Sequence, residues 1–162
     1  MIRSIALVFC ALLIGGCSSK PAPTNTPFSV ESRWVIGDQV NPYGGVDHHP
    51  IVLRLYQLRE PGAFNNAEFL DIYLDDRKAL GASLIDAQYL QPMLPGEQTL
   101  ALDIQRDSRY LAVFAEFADY KSAVGKALLK LDDNPDLQVI TVNVNALVVE
   151  LSAKAKKKKG WW

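Results

Sequence analysis

Residues 110–117 read Tyr-Leu-Ala-Val-Phe-Ala-Glu-Phe, and this stretch decides the class of fold. Only Glu116 interrupts the apolar run, so the stretch lacks the alternation of polar and apolar side chains that marks a half-exposed strand. A short, continuous apolar run of this kind is typical of a strand that is covered on both faces. We therefore predict a central strand here, with Phe114 pointing inward.

Further strands are predicted on both sides of this run. Residues 51–58 follow Pro50 and place Ile51, Leu53 and Leu55 on one face, because successive side chains of a strand point in opposite directions. Residues 139–151 are rich in β-branched side chains, which favour strands, and we expect a hairpin break at residues 143–145. The remaining candidate strands are residues 28–36, residues 100–104 with Leu100, Leu102 and Ile104 inward, and residues 124–131.

One segment has helical periodicity instead. Residues 65–80 carry apolar side chains roughly at helical spacing, and their charges run from acidic to basic, which suits the helix dipole. Gly81 stands where the C-terminal end of a helix favours glycine. Several short strands separated by turns, with one helix crossing over between them, predict a mainly β protein of the sandwich class.

The N-terminus has the features of an export signal. Arg3 supplies a positive charge, residues 5–14 form an unbroken apolar run, and Gly15-Gly16-Cys17 follows. The run is shorter than the roughly 20 residues that a permanent membrane-spanning helix needs. We predict a signal peptide at residues 1–16, a flexible linker at 17–27, a sandwich domain at 28–152 and a basic tail at 153–162.

Charge is distributed unevenly along the chain. The total of 17 basic and 18 acidic residues is nearly neutral and gives no field that would attract nucleic acid. Five lysines lie in residues 154–159, and without them and Arg3 the rest carries 11 basic against 18 acidic residues, a net charge of −7. The tail, which ends in Trp161-Trp162, is either a solvated extension or a contact with anionic phospholipid head groups or peptidoglycan.

The connection between the first two strands is a candidate binding surface. Residues 37–49 exceed the 2–5 residues of most hairpin loops, and longer loops tend to be functional. Tyrosine is enriched at interface hot spots, although a tolerated surface excursion would give the same length. The candidate partner-binding residues are Asn41, Pro42, Tyr43, Gly44, Gly45, Val46, Asp47, His48 and His49.

The sequence gives less support to a catalytic or metal-binding function than to a binding surface. His48 and His49 are neighbours in the chain, so their side chains point in opposite directions and do not converge on one ion. The pairs Asp75-Asp76 and Asp132-Asp133 diverge in the same way, whereas a glycosidase needs two carboxyl groups that face a substrate. We expect no enzyme activity, no metal and no bound cofactor.

Two resemblances to known families are visible. Residues 14–17, Ile-Gly-Gly-Cys, resemble the lipobox of bacterial lipoprotein precursors. A series of features in this chain also resembles the TssJ (SciN) family in its order. The series is Asn41-Pro42, the proline-led strand at 50–58, Phe64, Phe69, Leu80-Gly81, the turn Leu-Pro-Gly-Glu at 94–97 and the strand at 110–117. The members of that family are outer-membrane lipoproteins of type VI secretion systems. The sequence departs from the family pattern in two places: at Ala118, where the pattern has arginine, and in the Lys-Trp tail.

The lipobox resemblance implies cleavage after Gly16 and attachment of a diacylglyceryl group and an N-acyl chain to Cys17. Several acyl chains anchor a protein stably where one does not. Ser18 and Ser19 follow the cysteine, so the family pattern implies sorting to the outer membrane. No free thiol would then remain, because Cys10 leaves with the signal.

The TssJ resemblance implies a fold and a partner. The expected fold is a transthyretin-like β-sandwich of two four-stranded sheets with one or two short helical insertions. The expected role is structural: a domain in the periplasm, tethered to the inner leaflet of the outer membrane, docks through residues 37–49 onto the C-terminal periplasmic part of TssM and indirectly joins TssL. The alternative is a periplasmic lipoprotein that binds a small ligand or the cell wall, which an apolar cavity between the sheets would favour.

Overall fold

A computed structural model describes residues 26–156 of the 162-residue chain. Its main elements are two four-stranded sheets, with helices between β2 and β3. The strand order of the first sheet is β4-β1-β7-β8, and that of the second is β3-β2-β5-β6. Strands β1 and β7 pair in parallel and the other neighbours pair antiparallel. The predicted sandwich of two four-stranded sheets is confirmed. The strands are β1 Phe28–Ile36, β2 Leu53–Leu58, β3 Leu84–Tyr89, β4 Gly96–Ile104, β5 Tyr110–Ala115, β6 Lys126–Lys130, β7 Gln138–Asn145 and β8 Val148–Ala155.

The space between the sheets is filled by side chains. Trp34 is fully buried there, and its indole N–H donates to the hydroxyl of Ser32 at 2.8 Å. That hydroxyl in turn donates to the carbonyl of Leu100 at 2.8 Å, so both polar groups are satisfied inside the core. The predicted inward face of β2 lies in the same core, which contains Val30, Trp34, Ile36, Ile51, Leu53, Leu55, Leu102, Ile104, Leu111, Val113, Ile140, Val142 and Val144.

The central strand β5 is covered on both faces, as its sequence predicts. Leu111 and Val113 face the other sheet, whereas Ala112 and Phe114 face a second apolar cluster beneath the helices. Phe114 is fully buried, but it points toward the helices and not into the space between the sheets. Its ring centroid lies 4.8 Å from that of Phe69. The helical layer thus completes the burial of the second sheet.

The segment in which the sequence predicted one helix forms two. Helix α1 spans Gly62–Asn66 and helix α2 spans Phe69–Leu80, both between β2 and β3. A capping box starts α2, in which the Glu68 side chain accepts from the backbone of Asp71 and the Asp71 side chain accepts from the backbone of Glu68. This reciprocal cap separates the helices, and Asp75 leaves helical geometry with φ −155°. Gly81 ends α2 with φ +50°, as predicted.

Other boundaries differ from the sequence predictions. The break between β7 and β8 falls at Ala146-Leu147, one residue after the predicted turn, and Ala146 takes φ +48°. The predicted turn at residues 94–97 leads into β4, which begins at Gly96 and is an edge strand of the first sheet. Strand β8 continues to Ala155, beyond the expected end of the sandwich at residue 152.

The topology gives the sandwich two distinct ends. The end that we call the linker end holds the start of β1 and the end of β8, with the connections β2–α1, β4–β5 and β6–β7. The opposite end, the loop end, holds the connections β1–β2, β3–β4, β5–β6 and β7–β8. Strand β1 has nine residues and rises ~3.3 Å per residue, so roughly 26 Å of strand separates the two ends.

Candidate partner-binding loop

The connection between β1 and β2 leaves the sheet through a tightly packed glycine. The backbone N–H of Gly37 donates to the carbonyl of Val144 at 2.8 Å and so extends the pairing with β7. A Cβ atom at this position would lie 2.3 Å from Oδ1 of Asn145, too close for any real contact. Glycine therefore lets the chain turn away from the sheet while it stays in contact with the β7–β8 turn.

Asn41 fixes the base of the loop. It is 5% exposed and takes φ +53°, a left-handed conformation that asparagine adopts more readily than most residues. Its side-chain amide donates to the carbonyl of Pro50 at 3.1 Å and its Oδ1 accepts from the backbone N–H of Ala118 at 2.8 Å. Its own N–H donates to the carbonyl of Ala146 at 2.8 Å. Asn41 thus joins its loop to the β5–β6 and β7–β8 connections.

His49 closes the base from the other side. Its backbone N–H donates to the carbonyl of Val40 at 3.1 Å, and Nδ1 lies 3.1 Å from the carbonyl oxygen of Asn41. Because a carbonyl oxygen only accepts, this contact requires the tautomer with the proton on Nδ1. The buried Val40 packs in the core below. The base is therefore part of the folded body.

The tip of the loop protrudes into solvent. Tyr43 and Val46 exchange two backbone hydrogen bonds of 3.2 and 3.1 Å, and Gly44 and Gly45 between them both have positive φ. The side chain of Tyr43 is 58% exposed and that of Val46 is 51% exposed. A turn closed on itself holds these two apolar side chains out without support from the core.

The nine candidate residues of the loop thus divide into two groups. Asn41 and His49 serve the base, and Pro42 is half-buried beside it. Tyr43, Gly44, Gly45, Val46, Asp47 and His48 are exposed. Among residues 26–156, no three His, Cys, Asp or Glu side chains lie close enough together to hold a metal ion.

Two further exposed side chains of the loop end were not singled out by the sequence. Val124 and Val148 form an isolated bridge between the β5–β6 connection and the start of β8, and they are 55% and 39% exposed. The backbone N–H of Val124 donates to the carbonyl of Leu147 at 2.8 Å, and that of Val149 donates to Val124 at 3.0 Å. β-Branched residues in strand-like sequence are typical of core positions, so the pattern carried no signal of this exposure.

A charged network fastens α2 to the second sheet. Arg54 on β2 donates to Glu116 at 2.6 Å and to Asp76 at 3.3 Å, and it also donates to the carbonyls of Ile72 and Tyr73. The hydroxyl of Tyr56 donates to Asp76 at 2.8 Å, and that of Tyr89 donates to it at 2.9 Å. These contacts join α2 to β2 and β3, so they hold the helix against the second sheet.

Asp76 is the centre of that network. Burial opposes ionisation of its carboxylate, but the hydrogen bonds from Tyr56, Tyr89 and Arg54 outweigh burial and hold the pKa of Asp76 below its usual value. Burial and the neighbouring carboxylate raise the pKa of Tyr56 well above that of a free phenol. As predicted for adjacent acids on a helix, Asp75 points elsewhere and accepts from the backbone of Lys78 at 3.0 Å.

The predicted lipid-attachment residue, Cys17, lies outside the described residues, as do the signal peptide and most of the linker. The described chain begins at the linker end, where Arg106 donates to the carbonyl of Thr26 at 2.8 Å. Within residues 26–156, the helices are all too short or too polar to cross a membrane.

Comparisons with solved structures show the same fold elsewhere. TssJ1, a type VI secretion lipoprotein from Pseudomonas aeruginosa, superposes with a TM-score of 0.70 at 21% identity, over 81% of this chain and 99% of that one. Lip from Serratia marcescens, a membrane-bound component of the type VI secretion system, gives 0.66 at 23% identity, over 76% and 96%. A chain of the structure described as the C-terminal domain of the type VI secretion protein TssM from EAEC gives 0.64 at 15% identity, over 76% and 97%.

No curated protein sequence matches this chain. The family model described as "Type VI secretion lipoprotein, VasD, EvfM, TssJ, VC_A0113" matches residues 29–152, from β1 into β8. The chain belongs to this family of type VI secretion lipoproteins.

Proposed function

We propose that this protein is a structural lipoprotein that anchors the periplasmic part of TssM to the outer membrane. Acylation of Cys17 holds the N-terminus in the inner leaflet, the linker of residues 17–27 spaces the domain from the membrane, and the loop end binds TssM. TssL takes part indirectly through TssM, and the domain performs no catalysis. The family, whose members are secretion lipoproteins, supports the membrane attachment.

The placement of the two ends carries this proposal. The linker reaches the sandwich at the start of β1, whereas the loop that carries Tyr43 and Val46 leaves the other end of β1, after roughly 26 Å of strand. A domain tethered at its linker end presents its loop end away from the membrane. This is the geometry that a bridge between the membrane and a periplasmic partner requires.

The chemistry of the loop end suits a protein partner. Tyr43, Val46, Val124 and Val148 expose apolar surface on backbone that is held by hydrogen bonds, so docking orders little that is not already ordered. Structures described as the TssM C-terminal domain and as a type VI membrane complex each contain a chain of this fold, which agrees with such a partner.

The alternative of a ligand-binding sandwich receives less support. Among the described residues, the space between the sheets is occupied by fully buried side chains such as Trp34, Leu53 and Val142. A carrier of this architecture needs an apolar cavity there to enclose its ligand.

The docking step is tested by calorimetry between a fragment of residues 24–162 and the periplasmic C-terminal part of TssM. The double variant Tyr43→Ala/Val46→Ala removes two exposed side chains from the tip, and we expect at least tenfold weaker binding if they act as hot spots. The matched control is Leu70→Ala/Leu74→Ala, which removes two exposed side chains from α2 and should leave the affinity unchanged. Equal affinities for both variants would place the interface on another surface.

The anchoring step is tested separately in cells. Cys17→Ser should abolish acylation, leave the protein uncleaved or soluble, and stop secretion. Mass spectrometry of the wild-type membrane fraction should find acyl chains on Cys17. An unmodified Cys17 in that fraction would overturn the anchor without bearing on the docking loop.

A further inference from the structure

The outer surface of the two helices carries an exposed apolar groove. Leu74 on α2 is 77% exposed, more than any other large apolar side chain among residues 26–156, and Leu70 is 46% exposed one turn before it. The two leucines line a groove of about 520 Å³ between α1 and α2. The other apolar residues that line it are small: Ala63, Ala67 and Ala79. The same surface therefore has a ridge of two leucines beside a depression lined by alanines.

Charged side chains of both signs line the same groove. Asp71, Asp75 and Lys78 are exposed there. The ion pairs among the described residues include neither Asp71 nor Lys78. Both acids precede Lys78 along α2, so the charge changes from negative to positive along the groove. A second copy of the groove, laid against the first in the opposite direction, would place Lys78 of each copy beside Asp71 of the other.

We propose that two copies of this chain pair through this groove, about a two-fold axis that passes close to Leu74. An isologous interface joins the same patch on both subunits, so the patch has to be complementary to itself. The groove is complementary in shape, because the leucines of each copy fit against the alanines of the other. It is complementary in charge when the two α2 helices run antiparallel, whereas a parallel pair would bring Asp71 beside Asp71 with like-charge repulsion.

The pairing should be weak in dilute solution. Helix α2 has 12 residues and is about 18 Å long, so two such helices form a small contact beside the roughly 1,200–2,000 Å² of a stable interface. Copies that are held on one membrane pair more readily, because confinement raises their effective concentration. This last step rests on the acyl anchor of the proposed function, whereas the pairing itself does not.

Cysteine crosslinking of the full chain in the membrane fraction tests the pairing. Leu74→Cys places a thiol of each copy close to the axis, and a disulfide requires Cα atoms within about 7 Å of each other. After mild oxidation, we expect Leu74→Cys to give a product of twice the chain mass on non-reducing electrophoresis. The matched control is Leu137→Cys at the linker end, where Leu137 is 62% exposed, and it should stay monomeric. The unaltered chain reports any crosslink through Cys10 or Cys17.

A change of charge tests the antiparallel order. Lys78→Glu sets a negative charge against Asp71 of the other copy, so it should lower the crosslinked fraction of Leu74→Cys about fivefold, since two exposed ion pairs are lost. Lys78→Arg keeps the charge and should leave that fraction unchanged. The control Lys121→Glu makes the same change at an exposed lysine of the β5–β6 connection and should also have no effect.

Four results would overturn the inference. They are the absence of a crosslink through Leu74→Cys, equal crosslinking of Leu137→Cys, an unchanged crosslinked fraction with Lys78→Glu, and a crosslinked product of another mass. The last result would assign the groove to a different protein.

The variants of the docking test distinguish this inference from the proposed function. Tyr43→Ala/Val46→Ala should leave the crosslink through Leu74→Cys unchanged, although it weakens binding to TssM. Leu70→Ala/Leu74→Ala should keep the affinity for TssM, although it removes the ridge that the pairing needs. A chain that crosslinks through Leu74→Cys but does not bind TssM would overturn the docking role and leave the pairing standing.

Discussion

Asn41 lies in the base of the β1–β2 loop, which supports the fold, whereas Tyr43 lies in the exposed tip, which is proposed to bind the partner. Replacing Asn41 tests whether the base is part of the folded body. The side chain makes two hydrogen bonds, to the carbonyl of Pro50 and from the N–H of Ala118. At about 0.5–1.5 kcal/mol each, their loss should lower the free energy of unfolding by about 1–3 kcal/mol. Alanine at φ +53° adds about 1 kcal/mol of backbone strain, which gives about 2–4 kcal/mol for Asn41→Ala.

Glycine at the same position isolates the contribution of the backbone. Asn41→Gly loses the same hydrogen bonds but accepts the left-handed conformation freely, so it should be about 1 kcal/mol less destabilising than Asn41→Ala. Where φ is negative, glycine is instead the more destabilising of the two. Tyr43→Ala, whose side chain is 58% exposed, should change the unfolding free energy by less than about 0.5 kcal/mol.

Urea denaturation of the fragment of residues 24–162, followed by tryptophan fluorescence, measures all three variants. Trp34 lies in the core and reports unfolding of the sandwich. Equal destabilisation by Asn41→Gly and Asn41→Ala, or a loss for Tyr43→Ala as large as either, would contradict these expectations. The first result would mean that the left-handed backbone is not required, and the second that the tip supports the fold.

Two further predictions concern the helical face of the second sheet. Phe114→Ala should cost about 3–5 kcal/mol in denaturant melts because the ring is fully buried, while the control Leu74→Ala, 77% exposed, should cost less than about 0.5 kcal/mol; a loss below about 1 kcal/mol for Phe114→Ala would contradict the burial. Asp76→Asn should cost about 3 kcal/mol near neutral pH by breaking a buried ion pair. Since the folded pKa of Asp76 is lowered, its contribution is present above the unfolded pKa of about 4 and is lost as pH falls below it, so wild type and variant should converge in acid melts; a constant gap across that range would exclude Asp76 as the titrating group.

The local pattern of the sequence predicted the class of fold and seven of the eight strands, but not β3 at Leu84–Tyr89. The apolar run at residues 110–117 predicted a strand covered on both faces, and the alternation of Ile51, Leu53 and Leu55 assigned one face of β2 to the core. These inferences held because strand periodicity and burial are read from neighbouring residues. The length of the β1–β2 loop was equally local, and so was its exposed tyrosine.

Tertiary structure decided what each residue of that loop does. The sequence grouped Asn41 with Tyr43, but the contacts of Asn41 with Ala118 and Ala146 come from segments about 80 and 100 residues away and place it in the base. The same holds for Asp76, whose partners Arg54, Tyr56 and Tyr89 meet it only when α2 lies across the sheet. Periodicity carries no information about such pairings, because they depend on which strands become neighbours.

The sequence also did not predict which segments lie at each end of the sandwich. Nothing in the sequence indicates that the start of β1 and residues 154–156 lie at one end of the sandwich, or that the β1–β2 loop leaves the other. The parallel pairing of β1 with β7 and the antiparallel return of β8 decide it, since they bring Ala155 back to the level where β1 begins. The sequence alone determined which segments are apolar, basic or long, and the order of strands in the sheets determined which of the described segments lie at the same end.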